Sequence, residues 1–256
     1  DTLTSFLPLF LVFGYVAART THTSEDHPHV PHIAQESPTF SFVAVALIAL
    51  CALAYVGWMV NIQPARADRA LSDADNLRQH IGEAEPDDAL VAATETYQRA
   101  LDFSTYGKST VQKSLAAYAF SFYQAFGRQS PQEFTNAFLP FATRELKAYI
   151  QQHPRDYLAY STLGKLSNVQ LLLTDRKDEQ IERILAQAQT LAPERLEMPL
   201  VFAQRALLEG NYDAAVVFAE GGIAKSKKFV DFYRIAFIAY SLQGNEDKAF
   251  YALDEG

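Results

Sequence analysis

Cysteine is almost absent. Cys51 is the only one, and it sits inside an apolar run. An internal disulfide framework is therefore excluded, and the compartment stays open. Glycine and proline are also scarce, 11 of each in 256 residues, which argues against a loop-rich or disordered chain. The net charge is −8, so the sequence lacks the basic excess that draws nucleic acid, and nucleic-acid binding is not expected. An initiator Met is missing too: the chain opens at Asp1 and enters an apolar run over Leu3–Ala18. No charged segment precedes that run and no small-residue cleavage site follows it, so a secretory signal is a poor reading. The expectation is a cut end with further protein upstream.

What is present begins with a second apolar run. Phe40–Val60 carries no charge over 21 residues, and Ser41 is its one clearly polar side chain. A helix of that length, at about 1.5 Å per residue, spans roughly 30 Å, the thickness of a bilayer's hydrocarbon core. Tyr55 and Trp58 stand near its end, where interfacial aromatics belong. A transmembrane helix is expected over 40–62, with a lipid bilayer as its partner. Leu3–Ala18 is short for a span, and Pro8 and Gly14 within it suit a helix packed in a bundle. Residues 1–18 are therefore expected to be the last helix of a larger membrane core. Residues 19–39 form a polar linker with three prolines and four histidines. His27, His29 and His32 are candidate metal ligands by type, but Pro28 and Pro31 interrupt them, so they share no face of any element, and a surface loop is the expected role.

Beyond Ala65 the pattern turns periodic. Gly210-Asn211-Tyr212-Asp213-Ala214-Ala215 returns as Gly244-Asn245-Glu246-Asp247-Lys248-Ala249, an offset of 34 residues with four of six positions identical. That is the period of tetratricopeptide (TPR) helical hairpins. In such a unit the Gly ends the first helix in a left-handed conformation, the Asn caps the second, and the Asp meets its dipole. The small Ala lets the two helices approach. One repeat earlier, Tyr160, Leu163 and Gly164 fall at first-helix positions, and Ala188 and Pro193 close the second helix. About five extra residues near Thr174–Glu179 predict a lengthened, projecting loop. Ser109 with Gln112, and Ser130 with Glu133, read as capping boxes that start helices near 109–127 and 131–152. Another helical pair is expected near 65–82 and 87–103. The fold class expected is all-α: two transmembrane helices, then an α-solenoid of about five TPR-like hairpins over 65–256. Tyr118, Phe120, Phe122, Tyr123 and Phe126, with Phe134, Phe138, Phe141 and Tyr149, are spaced for a helical core stripe. An aromatic platform for sugars is the alternative.

No nucleophile constellation, phosphate loop or strong metal-ligand spacing is present. His80 and His153 fall at helix ends. Asp87/Asp88 and Glu246/Asp247 fall in first turns, and Lys225, Lys227 and Lys228 follow a helix, where the dipole accounts for them. No catalytic, cofactor-binding or metal-binding residue is assigned within the chain, and no cofactor is expected.

Two stretches carry a family resemblance. Asp1-Thr2-Leu3-Thr4-Ser5 running into an apolar helix resembles the last core helix of the O-antigen ligase and O-antigen polymerase family. Tyr97-Gln98-Arg99-Ala100-Leu101-Asp102-Phe103-Ser104-Thr105-Tyr106-Gly107 is similar to the first repeats of members with C-terminal TPR domains. The order of parts agrees: core helix, polar linker, one more membrane helix, repeats. The resemblance implies a multi-pass protein of the bacterial cytoplasmic membrane that transfers or polymerises lipid-linked glycans, with its catalytic residues upstream of Asp1. It also implies repeats on the extracytoplasmic side, docking a protein partner or glycan acceptor in their groove. Arg66, Arg69 and Arg78 after the second span, against Arg19 alone before it, point the other way by the positive-inside rule. The expectation follows the family topology. The competing reading is a membrane-anchored TPR scaffold without catalysis.

Overall fold

A computed structural model of the chain describes residues 39–103 and 107–256. The expected span Leu3–Ala18, the linker with His27, His29 and His32, and the Asp1–Ser5 stretch lie outside the described residues. The chain divides into two units, Asp1–Leu53 and Ala54–Gly256. Among the described residues every regular element is helical.

The first described element, α1, runs Thr39–Gly57 and passes into a π-helical turn over Trp58–Ile62. Among the described residues one helix is long and apolar enough to cross a membrane, and its apolar window is wholly uncovered by protein. Leu47, Ile48, Leu50 and Tyr55 are all exposed. One candidate span is therefore described, where two were expected from the sequence.

Within Ala54–Gly256 the remaining helices pair into five hairpins. They are α2 (Gln63–Gln79) with α3 (Pro86–Phe103), α4 (Lys108–Phe126) with α5 (Leu139–Gln152), α6 (Tyr157–Thr174) with α7 (Glu179–Leu191), α8 (Glu197–Leu208) with α9 (Tyr212–Lys225), and α10 (Val230–Leu242) with α11 (Glu246–Glu255). Each first helix also packs on the first helix of the next hairpin: α2 on α4, α4 on α6, α6 on α8, α8 on α10. The hairpins thus stack in a row with their first helices side by side.

The 34-residue register is visible in the backbone. Gly210 and Gly244 take φ of 71° and 74°, a left-handed conformation that costs other residues about 1 kcal/mol. In each case the following Asn caps the second helix. Asn211 accepts from the Ala214 N–H and Asn245 from the Lys248 N–H. Ala215 and Ala249 are buried where the paired helices meet.

Three local readings are corrected. Ser109 does not cap α4. Gly107, at φ 86°, holds that place, and its carbonyl already accepts from Thr110 and Val111. Ser109 is the helix's second residue, and its hydroxyl meets His153 Nε2 at 3.0 Å. Ser130 likewise does not accept from Glu133. Its hydroxyl donates to the Gly127 carbonyl at 2.8 Å, closing the turn before the helix. The five extra residues do not make a projecting loop. The first helix of that hairpin is 18 residues long, against 12 in α8 and 13 in α10, so most of the insertion is helical. The short connection that remains is held down on both sides. Asp178 caps α7 and takes the Lys147 ammonium of α5 at 2.7 Å, while Lys177 pairs at 3.1 Å with Glu209, the C-cap of α8.

The two π-helical turns share a cause. Trp58–Ile62 precedes Pro64 by two residues, and Phe134–Phe138 precedes Pro140 by two. A proline inside a helix has no N–H to give, and its ring crowds the carbonyl four residues back. Widening the preceding turn relieves the crowding. At the second site the Leu139 N–H reaches back to Phe134 O, five residues away.

The core between hairpins is aromatic. Tyr97, Tyr118, Phe122 and Phe134 are fully buried, and Tyr118 stands edge-on to Tyr97 and Phe138 at 5.6 and 5.8 Å. Each buried hydroxyl finds a partner on a neighbouring helix. Tyr118 donates to Ala89 O of α3, and Tyr97 to Ser114 of α4. Burial pushes the Tyr97 phenol up to about 12, so it stays neutral. Truncating one such ring to Ala costs about 3–5 kcal/mol. Tyr118, Phe122, Phe134, Phe138 and Tyr149 of the aromatic stripe are therefore inter-hairpin core, while Phe120, Tyr123, Phe126 and Phe141 are partly buried against it.

Candidate functional site

The polar groups singled out in the sequence sit where helix ends explain them. His80 and His153 are the C-caps of α2 and α5. His80 Nδ1 lies 2.8 Å from Asn76 O in its own last turn. Lys225, in the last turn of α9, donates to Pro193 O at 2.7 Å. Asp87/Asp88 and Glu246/Asp247 occupy first turns of α3 and α11. Ser109 and His153 are within hydrogen-bond distance, but His153 is exposed and no carboxylate orients it among the described residues. A nucleophile–base pair needs that third group. No cluster of three metal-ligating side chains occurs among the described residues.

The feature with an unexplained surface is a groove along the row of first helices. It holds about 360 Å³ and is lined from α4, α6, α8 and α10 alone. The lining follows one rule. Phe120, Tyr123 and Gln124 of α4 are spaced i, i+3, i+4, as are Gln204, Leu207 and Leu208 of α8. Lys165, Asn168, Val169 and Leu172 continue the same spacing over two turns of α6. Such residues share one helical face. The core takes the opposite faces of these helices and also Val169 and Ile235 of the lining, so the groove is an apolar stripe at the open edge of the core. Leu172, Leu208 and Ile238 are each more than a third exposed.

The charges in the groove are of one sign. Lys165 and Arg234 line it, and no carboxylate does. The Lys165 ammonium rests 5.5 Å over the Phe120 ring and has no acidic partner within 4 Å among the described residues. Arg234 pairs with Asp231 one turn away at 2.9 Å, an exposed contact worth well under about 1 kcal/mol. Asn168 is 7% exposed; its amide nitrogen donates to Val201 O at 3.0 Å, and its amide oxygen is buried with no partner. A buried acceptor left open costs about 1–3 kcal/mol, and this one has almost no surface from which a groove ligand could reach it.

Behind the groove the same helices are locked by a buried cation. Arg205 of α8, 4% exposed, reaches Ser167 of α6 at 2.9 Å, Glu209 at 3.1 Å and Glu182 of α7. This fixes α6, α7 and α8 against one another and so fixes the groove wall. The sequence reading expected a docking groove but named neither Lys165, Asn168 and Arg234 in its lining nor Arg205 behind it. A signal existed: Arg205 stands between Ala203 and Ala206 on a core face, where a lone charge requires partners.

No family model matches the chain, and no curated protein matches it.

Proposed function

We propose that the hairpins form an α-solenoid of TPR-like repeats that docks a partner along the groove of its first helices, and that the protein is held at a bilayer. The observation that carries this reading is the apolar stripe. Three successive first helices expose Leu172, Leu208 and Ile238 beside two cations, along an open edge of the core. Apolar groups facing water in one concave strip are favourable only when something covers them. The tether is α1, apolar on every side and uncovered. A second span at Leu3–Ala18 is proposed from the sequence.

On the resemblance to the O-antigen ligase and polymerase family, the setting is a multi-pass bacterial cytoplasmic-membrane enzyme that transfers lipid-linked glycan. The transfer chemistry would belong to its membrane core, and the repeats, facing the extracytoplasmic side, would bring a protein partner or glycan acceptor to it. The second reading, a scaffold without catalysis, uses the same groove.

The test is site-specific photocrosslinking in the native membrane, with the crosslinker in place of Gln204. A discrete adduct is expected, lost when Ile238→Glu puts a charge in the apolar strip. Adducts unchanged by Ile238→Glu, or none at all, would overturn the docking reading. Glycan transfer in membranes carrying Ile238→Glu separates the enzyme from the scaffold: a fall supports the first, and unchanged or undetectable transfer with a lost adduct supports the second.

A further inference from the structure

We infer that the edge of the hairpin row formed by the turns between hairpins rests on the headgroups of an anionic bilayer; this rests on the bilayer tether proposed above and not on the groove. Consecutive helices fold back on one another, so the first helices α2, α4, α6, α8 and α10 all run the same way. Their N-termini and the turns that join one hairpin to the next therefore share one edge. The turns inside the hairpins share the other. Direction along α2 decides which edge meets the lipid. The helix that carries Tyr55 and Trp58 enters α2 through the π-helical turn with no break. At about 1.5 Å per residue, Gln63 stands only about 8 Å beyond Trp58 along that helix. With Trp58 at the interface, where such rings belong, the N-terminal edge of the first helices is the one held against the bilayer.

Charge divides between the same two edges. The turns between hairpins carry Arg155, Arg195, Lys227 and Lys228, all exposed. Arg155, Lys227 and Lys228 pair with no carboxylate among the described residues, and Arg195 meets Glu197 only at 3.7 Å. The acids of these turns, Asp156 and Glu194, each face an ammonium already, Lys113 and Lys225, at 3.6 Å. The opposite edge is acidic: its turns carry Glu83, Glu85, Asp175, Asp178 and Glu209 against Arg128, Arg176 and Lys177. Helix dipoles do not produce this division. Each edge presents the N-termini of one set of helices and the C-termini of the other, so the dipoles balance at both.

Apolar side chains complete the basic edge. Leu158, Leu191 and Val230, at helix ends beside these cations, are 58%, 45% and 60% exposed. Between Arg155 and Arg195 a cavity of about 590 Å³ opens, walled by Tyr157, Leu158 and Leu191. Cations around an apolar mouth match a phospholipid, whose phosphate and glycerol region meet both together. A nucleic acid would use the cations and leave the leucines bare. An acidic protein would meet the same cations only by displacing the lipid that the tether holds there.

The experiment is headgroup quenching on the full chain held in lipid nanodiscs. A fluorophore is placed at one end of α10 or the other, through Val230→Cys or Leu242→Cys in a Cys51→Ser background, about 18 Å apart along the helix. With phosphatidylglycerol present, nitroxide on the lipid headgroups is expected to quench the Val230 site and spare the Leu242 site. Quenching should fall in pure phosphatidylcholine and in high salt, which shortens the reach of a charge from about 10 Å at 0.1 M to about 3 Å at 1 M. In Arg155→Gln/Lys227→Gln/Lys228→Gln the ratio of docked to free edge should fall about fivefold for each cation removed. The matched triple Arg128→Gln/Arg176→Gln/Lys177→Gln, on the opposite edge, should quench like the parent. Equal quenching at the two ends of α10, quenching indifferent to lipid charge, or equal responses in the two triples would overturn the inference. Cys51, labelled in the otherwise native chain, tests the tether separately. Acyl-chain nitroxide that quenches Cys51 while the Val230 site stays bright overturns the edge docking alone. No quenching at Cys51 removes the tether and this inference with it.

Discussion

Two neighbouring glycines in α9 should respond to the same substitution with opposite signs. Gly221 is exposed, and a β-carbon built on it meets nothing within 4 Å. Gly222 is buried, and its β-carbon would stand 2.4–2.5 Å from three atoms of the Phe232 ring. Replacing Gly by Ala in a helix interior gains about 0.5–1 kcal/mol of helix propensity at either site. At Gly222 that gain is opposed by overpacking, which costs about 1–3 kcal/mol. The ring cannot swing aside easily, because Phe232 is fully buried and packs on Phe229 at 5.5 Å. Gly221→Ala should therefore stabilise by about 0.5–1 kcal/mol, and Gly222→Ala should destabilise by about 1–2 kcal/mol. For a helical unit of this size each kcal/mol moves the melting temperature by about 2–4 °C. Melts by circular dichroism in mild detergent will separate the two variants. A smaller ring-site residue should rescue the second: in the cycle of Gly222→Ala with Phe232→Leu, the double variant should be less destabilised than the sum of the singles by about 1–2 kcal/mol. Equal shifts in one direction, or additivity in the cycle, would refute the close packing of α9 on α10.

Asp156 caps α6, accepts from Tyr149 Oη at 2.6 Å and lies 3.6 Å from the Lys113 ammonium. Burial opposes its charge, but the hydrogen bonds from Tyr149 and Ala159 and the nearby ammonium outweigh burial and hold its carboxyl below the ordinary 3.8. A lowered pKa gives stability that is present above the unfolded value and lost as pH falls through the folded one. Asp156→Asn, which keeps a cap, should cost about 1 kcal/mol at pH 7, and urea titrations should show the difference shrinking below about pH 4; a difference constant with pH would refute the ionic part. Arg205→Met leaves Glu182 and Glu209 facing a side chain that cannot pair. Breaking a buried pair costs about 3–5 kcal/mol, but Glu182 is 39% exposed and can rehydrate, so about 2–3 kcal/mol is expected in denaturant melts. A loss below about 0.5 kcal/mol would show that Arg205 does not lock α6, α7 and α8.

The hairpins were legible because their signals are local. Gly210, Asn211 and Asp213, repeated at Gly244, Asn245 and Asp247, each act within a few residues, through a left-handed turn, a cap and a dipole. Ser109 and Ser130 misled because the same residue type serves a cap or a turn depending on which neighbour starts the helix. Gly107 had already turned the chain into α4, and only the backbone shows that. The insertion misled for a related reason. Extra residues in a repeat can lengthen a loop or a helix, and Leu171, Leu172 and Leu173 continued the apolar pattern of α6 up to the turn at Asp175.

The groove was harder, and the reason is geometric. A first helix in a stacked row touches its own hairpin partner and the first helices on either side, so its sequence is apolar around most of its circumference. In α6 the buried set includes Tyr157, Tyr160, Leu163, Leu166 and Val169, and against that background Leu172 reads as more core. What distinguishes the groove face is the company its residues keep across helices. Lys165 acquires meaning from Phe120 of the preceding hairpin, and Asn168 from Val201 of the following one. Both lie more than 30 positions away, so no window of a single helix contains the pair. The 34-residue period supplies the missing link, because residues one period apart on first helices become lateral neighbours. Gln204 follows Asn168 by 36 positions and Arg234 follows Gln204 by 30, two over and four under the period, and a two-residue shift turns a side chain by about 200° around a helix, so the longer first helix of the third hairpin hides the shared face from a strict 34-residue register.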